Sequence, residues 1–143
     1  CRGPLCSVGK MAPYQAGDLE QPGELEAAVK ARSHAGELVI TYANLGGSAW
    51  VSNLVLSLRD VGIEHWFIIM MTKEACDGVY NSPSQLSCGH SSWDLDGCKK
   101  ESDKTGATER MWFIRHYYLR RIIDLGNVAV MALDGDMTMQ ALP

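Results

Sequence analysis

Apolar positions along this chain fall into two patterns, short unbroken runs and helix-spaced stripes, and their alternation sets the fold class. Leu38-Val39-Ile40-Thr41-Tyr42 and His65-Trp66-Phe67-Ile68-Ile69-Met70-Met71 are runs of strand formers. Between them Val51, Leu54, Val55, Leu58 and Val61 recur at i, i+3 and i+4 spacing up to Gly62, which predicts a helix. Ser48 is placed to cap that helix, and Ala43-Asn44-Leu45-Gly46-Gly47 forms the turn into it. Strand, helix and strand joined this closely make a βαβ unit with a right-handed crossover.

A second unit follows further along. Met111, Ile114, Tyr118, Ile122 and Leu125 form one stripe of a helix predicted from about Glu109 to Leu125 and ended by Gly126. After it, Val128-Ala129-Val130-Met131-Ala132-Leu133 reads as a buried strand of a parallel sheet, and it runs into Asp134-Gly135-Asp136. Upstream, Pro22 near a helix start, Leu25, Ala28, Val29 and Arg32 on one side, and Gly36 as a C-cap predict an accessory helix. The pattern thus divides the chain into an irregular arm, 1–21, and an α/β domain, 22–143, interrupted by a long polar, cysteine-containing insertion at 72–108. Leu86-Ser87-Cys88 is the candidate for a short strand inside the insertion.

Composition narrows the function classes. The 143 residues suit one domain with a real core. No window approaches the ~18 consecutive apolar residues of a membrane span. The formal charge of −4 disfavours a nucleic-acid binder, which is usually strongly basic. The five cysteines, Cys1, Cys6, Cys76, Cys88 and Cys98, include no Cys-x-x-Cys pair, and Cys76, Cys88 and Cys98 either staple the polar insertion or remain free thiols.

Three groups of residues are candidates for chemistry. Asp134 and Asp136 lie at the carboxyl end of a strand, where open α/β sheets bind ligands, and residues two apart on extended backbone point the same way. Hard carboxylate oxygens suit a divalent cation that also holds substrate phosphates, and Gly135 lets backbone come close to a ligand. The alternative is an acidic turn closing the strand. The Gly46-Gly47 turn before a helix is either an anion site or a structural turn. Arg115 lies inside the apolar arc of its helix, between Ile122 and Leu119, so it pairs with an anion or snorkels outward. Arg110, His116, Tyr117, Arg120 and Arg121 read as a solvated face. Trp50, Trp66 and Trp112 read as core aromatics, with Trp93 the candidate for ligand stacking, and the four histidines show no metal-ligand spacing.

Taken together, Val39-Ile40-Thr41-Tyr42-Ala43-Asn44-Leu45-Gly46-Gly47, Arg110-Met111-Trp112-Phe113-Ile114-Arg115, Asp124-Leu125-Gly126-Asn127-Val128 and Asp134-Gly135-Asp136 resemble a known family. It is the nucleotide-diphospho-sugar transferase domain of plant and green-algal glycosyltransferases, including arabinosyl- and xylosyl-type enzymes of the secretory pathway. The resemblance spans roughly residues 37–137. It implies a Rossmann-like, GT-A-type parallel or mixed sheet flanked by helices, and the N-terminal, nucleotide-binding portion of such a fold.

By that resemblance, Asp134 and Asp136 serve catalysis and metal binding, with Asp136 the direct ligand of Mn²⁺ or Mg²⁺ and Asp134 nearer the ribose or a metal-bound water. Thr41, Tyr42, Ala43 and Asn44 would line the base and ribose, and Arg115 would meet the diphosphate or hold an aspartate. The donor would be a nucleotide-diphosphate sugar and the acceptor a glycan or glycoprotein. The compartment would be the Golgi or secretory lumen, with membrane contact only through a segment outside this chain. Two alternatives stand beside it, a transferase-like module without catalysis and a haloacid-dehalogenase-like phosphatase. The phosphatase reading rests on Asp134-x-Asp136-x-Thr138, with Asp134 as nucleophile and Asp136 as acid/base.

Overall fold

The computed structural model describes residues 9–93 and 104–138. Strand β1 (Gln15–Asp18) leads to helix α1 (Glu24–Arg32), then β2 (Glu37–Ala43), a single 3₁₀ turn (Leu45–Gly47) and α2 (Ser48–Asp60). There follow β3 (Trp66–Met70), α3 (Lys73–Tyr80), β4 (Cys88–His90), α4 (Lys104–Asp124) and β5 (Ala129–Leu133). The strands form one five-stranded parallel sheet in the order β1-β4-β3-β2-β5. Helices cover both faces, so the architecture is three-layered α/β and compatible with a Rossmann-like fold.

Strand periodicity builds the two cores. Val39 and Ala43 of β2 and Trp66, Ile68 and Met70 of β3 pack with Val51, Leu54, Val55 and Leu58 of α2 and with Ala75, Cys76 and Val79 of α3. The alternate residues Leu38, Ile40, Tyr42, Phe67 and Ile69 face Leu25, Ala28 and Val29 of α1 and Ile114, Tyr118 and Ile122 of α4. Each fully buried Leu or Ile in these layers contributes roughly 1.5–3 kcal/mol. Arg32, on the buried side of α1, donates to the carbonyls of Trp66 at 3.0 Å and Ala12 at 2.8 Å and to that of Glu64. Burial lowers its pKa to about 10, which leaves it charged at neutral pH and tied to three backbone acceptors.

Several expectations are corrected. The segment foreseen as an irregular arm contributes β1, whose Ala16 and following Leu19 are buried against Gly89 and Phe67. A Cβ on Gly89 would lie 2.8 Å from Leu19 Cδ2, so a glycine is required where β1 docks on β4. The polar insertion holds α3, capped by Thr72 Oγ1 on the Ala75 N–H at 3.2 Å, and β4. Cys76 on α3 and Cys88 on β4 form a disulfide with Cα atoms 5.7 Å apart, which ties helix to sheet across that insertion. Cys1, Cys6 and Cys98 lie outside the described residues.

Two further differences bear on the site. Gly47, not Ser48, occupies the N-cap of α2. The closing strand is not buried on both faces. It lies beyond β2 at the edge of the described sheet, Ala129 is exposed, Met131 is 57 % exposed and only Leu133 is buried.

Candidate functional site at the carboxyl ends of β2 and β5

Strands β2 and β5 are neighbours whose connections diverge. From β2 the chain crosses through α2 to β3 on one side, while β5 is reached from β4 through α4 on the other. Such a reversal opens a crevice beyond the carboxyl ends of the two strands, because α2, which follows β2, and α4, which precedes β5, pack on opposite faces. A cleft of ≈ 240 Å³ lies there, between the start of α2 and the N-terminal half of α4. That is slightly below the ~300–1,000 Å³ of complete small-molecule sites.

Its floor comes from Tyr42, Leu133 and the Asp134-Gly135-Asp136 turn. Extended backbone ends at Leu133, and the Met137 N–H bonds the Asp134 carbonyl at 3.1 Å, so the two aspartates sit on a tight turn rather than on a continued strand. Both carboxylates are exposed and both line the cleft. Gly135 has a packing reason. A Cβ there would lie 2.8 Å from Val51 Cγ1, so the glycine lets the turn press against α2, where a close approach to ligand had been anticipated.

Arg115 reaches into the same cleft from α4 and donates from Nη1 to Asp134 Oδ1. Its side chain is 22 % exposed, against 54 % for Asp134, so the guanidinium is the better-shielded member of the pair. The α4 backbone is fixed here because the Tyr42 hydroxyl donates to the Arg115 carbonyl at 3.1 Å. Burial raises the pKa of that phenol, which keeps it protonated and able to donate. Arg115 also lies 5.8 Å from the centroid of the Trp112 ring.

The family-implied nucleotide residues divide. Tyr42 lines the cleft. Thr41 and Ala43 point to the opposite face of β2, towards the α2 and α3 core. Asn44 is engaged locally, its Oδ1 accepting the Gly47 N–H at 2.8 Å as the cap of the 3₁₀ turn. Of the Gly-Gly turn only Gly47 borders the cleft, and its N–H is satisfied by Asn44.

Two residues read as core from sequence belong to the site. Trp50 on α2 and Trp112 on α4 are 62 % and 53 % exposed, and both line the cleft. Their helical positions were the available signal, since neither lies on the apolar stripe of its helix. Trp66 is buried as expected. Trp93 stacks on Tyr117 with ring centroids 4.3 Å apart, away from the cleft.

The face of α4 read as solvated is in part a docking face. Glu20 accepts from the Tyr117 hydroxyl at 2.7 Å, the Tyr118 hydroxyl at 2.6 Å and Arg121 at 2.7 Å. Burial and this carboxylate raise the pKa of both phenols.

Among the described residues no three His, Cys, Asp or Glu side chains converge as a preformed metal cage. The donor set on the Asp134–Asp136 turn, two exposed hard oxygen groups, suits a cation whose remaining ligands are phosphate oxygens and water. The Asp134-x-Asp136-x-Thr138 order follows the last described strand, whereas the phosphatase motif belongs after the first strand of its fold. Comparison of this chain with protein-family models, curated proteins and solved structures returned no match.

Proposed function

We propose that the cleft between β2 and β5 is the donor site of a nucleotide-sugar-dependent glycosyltransferase, with the donor-binding elements in residues 37–137. The observation that carries this reading is the convergence, at one switch-point crevice, of two exposed carboxylates, a shielded guanidinium and two exposed tryptophans. Each has a counterpart in the chemistry of a sugar nucleotide. Arg115 matches the diphosphate, because its planar fork of donors pairs with phosphate oxygens. Asp134 and Asp136 would hold Mn²⁺ or Mg²⁺, which would neutralise charge on a departing diphosphate. Trp50 and Trp112 offer flat apolar faces for a base or a sugar ring.

The strand order supports a GT-A-type sheet. Counted from β2, the run β4-β3-β2-β5 reads 3-2-1-4, the order around the switch point of nucleotide-binding doubly wound folds. The Cys76–Cys88 disulfide supports an oxidising compartment such as the secretory lumen, where the acceptor would be a glycan or glycoprotein. A second reading, a binding module without turnover, draws on the Arg115–Asp134 pair, in which one carboxylate is already neutralised.

Calorimetric titration with nucleoside diphosphates separates the outcomes. Binding that Mn²⁺ strengthens, with the gain lost in Asp136→Ala, is expected for the donor site. Absence of binding at millimolar ligand and metal would contradict both readings. Binding without hydrolysis or transfer of any nucleotide sugar would leave the module.

A further inference from the structure

The contact between Arg115 and Asp134 joins the two halves of the proposed site, and this inference rests on the donor-site reading above. Within one cleft, the guanidinium that suits a diphosphate is bonded to a carboxylate that suits the cation. The Arg115 side chain is 22 % exposed and that of Asp134 54 %, so the pair opens to water on the carboxylate side, where a competing anion or a cation can reach it. The alternative anion partners for Arg115 are few. Among the described residues lining the cleft, the acidic ones are Asp134 and Asp136, and the other contact of its guanidinium is the Trp112 ring. Tyr42 holds the carbonyl of Arg115, so the backbone of α4 stays in place while the side chain exchanges partners.

We infer that Arg115 is an electrostatic latch: in the free protein it occupies Asp134, and a diphosphate draws it away, freeing that carboxylate for a divalent cation. Two consequences follow from charge alone. A cation arriving without the diphosphate must displace or tolerate a neighbouring positive charge, so the cation alone binds weakly. A diphosphate satisfies the guanidinium and adds oxygen ligands for the metal, so diphosphate and cation bind with positive cooperativity. Arg115 is thereby a specificity-determining residue, since it selects ligands that carry both phosphate charge and metal-chelating oxygens over a free metal ion.

The test measures Mn²⁺ alone by the free-ion electron paramagnetic resonance signal, and UDP and ADP by calorimetry with and without Mn²⁺. In Arg115→Gln, affinity for Mn²⁺ alone is expected to rise about two- to fivefold, the range of a partly exposed ion pair. Affinity for the diphosphate with Mn²⁺ is expected to fall about tenfold or more, as a charge-assisted hydrogen bond is lost. Asp134→Asn supplies the converse and guards against a folding artefact, because releasing Arg115 should strengthen metal-free diphosphate binding. Circular dichroism of both variants should match the parent chain. Opposite shifts in Arg115→Gln together with the gain in Asp134→Asn support the latch. Parallel loss or no change overturns it while leaving the donor site intact, provided Mn²⁺ strengthens binding to the parent chain and not to Asp136→Ala. Failure of the parent chain to bind either probe overturns the latch and the donor site together.

Discussion

Gly135 separates the two carboxylates of the cleft, and the reason for a glycine there is steric rather than chemical. The missing Cβ would meet Val51 Cγ1 at 2.8 Å, so the Asp134–Asp136 turn is seated directly on α2. Gly135→Ala is expected to destabilise the fold by roughly 1–3 kcal/mol, the usual cost of overpacking. Combining it with Val51→Ala should recover part of that loss, and urea denaturation of the single and double variants measures the coupling. At the opposite end of the sheet His65 is buried, with Nδ1 unpartnered among the described residues and Nε2 3.9 Å from the Glu37 carboxylate. Burial lowers its pKa more strongly than Glu37 raises it, with His34 and Arg32 adding to the lowering. The folded pKa therefore lies below the unfolded one of about 6.5. The stability that neutral His65 contributes is complete above that value and is lost as pH falls through the folded pKa. Thermal melts should show stability declining below about pH 6.5, and His65→Gln should flatten the decline. An unchanged slope in the variant would assign the acid sensitivity to other groups.

Elements were legible where periodicity is long and strong. The stripe Val51-Leu54-Val55-Leu58 and the run Trp66 to Met70 returned as α2 and β3 almost residue for residue, because one face of the helix and both faces of the strand are buried. Strand β1 was not legible. Four residues, Gln15–Asp18, carry too little pattern, and only tertiary contact with Gly89 makes them a strand. Helix α3 hid in a polar segment because only Ala75, Cys76 and Val79 of its eight positions are buried. The exposure of β5 was also unreadable, since an apolar run does not reveal whether a neighbouring strand covers it. What holds α3 to the sheet is covalent as well as apolar. Reducing Cys76–Cys88, or replacing both by Ala, should cost roughly 2–3 kcal/mol, as expected for a loop of this length. Denaturant titration with and without reductant reads the difference, and equal midpoints would show that the apolar contacts of α3 suffice.

On the scale of the whole molecule, the topology explains why the candidate site assembles from residues nearly a hundred positions apart. Parallel pairing of β2 with β5 sets Thr41 beside Leu133 and so brings the carboxyl ends of the two strands, with Tyr42 and Asp134, to one place, and the helices that follow β2 and precede β5 add Trp50 and Arg115 from opposite faces. The aspartates and Arg115 singled out in the sequence do line one cleft, whereas Trp50 and Trp112 read as core aromatics and are exposed there, because burial of an aromatic depends on which helix face the sheet covers. Family resemblance also carried Thr41, Ala43 and Asn44 into the site. Strand alternation turns the first two away, and the third caps the adjoining turn. The proposed function requires this crevice to hold a divalent cation together with a nucleoside diphosphate. Paramagnetic broadening of backbone amide signals by Mn²⁺, recorded by NMR in the presence of UDP or ADP, tests it most directly. The signals of Gly47, Val51, Arg115, Gly135 and Asp136 are expected to be lost, with those of Gly36, Gly62 and His65, at the amino ends of the strands, left sharp. Broadening centred at those amino ends, or none at the carboxyl ends of β2 and β5, would contradict it.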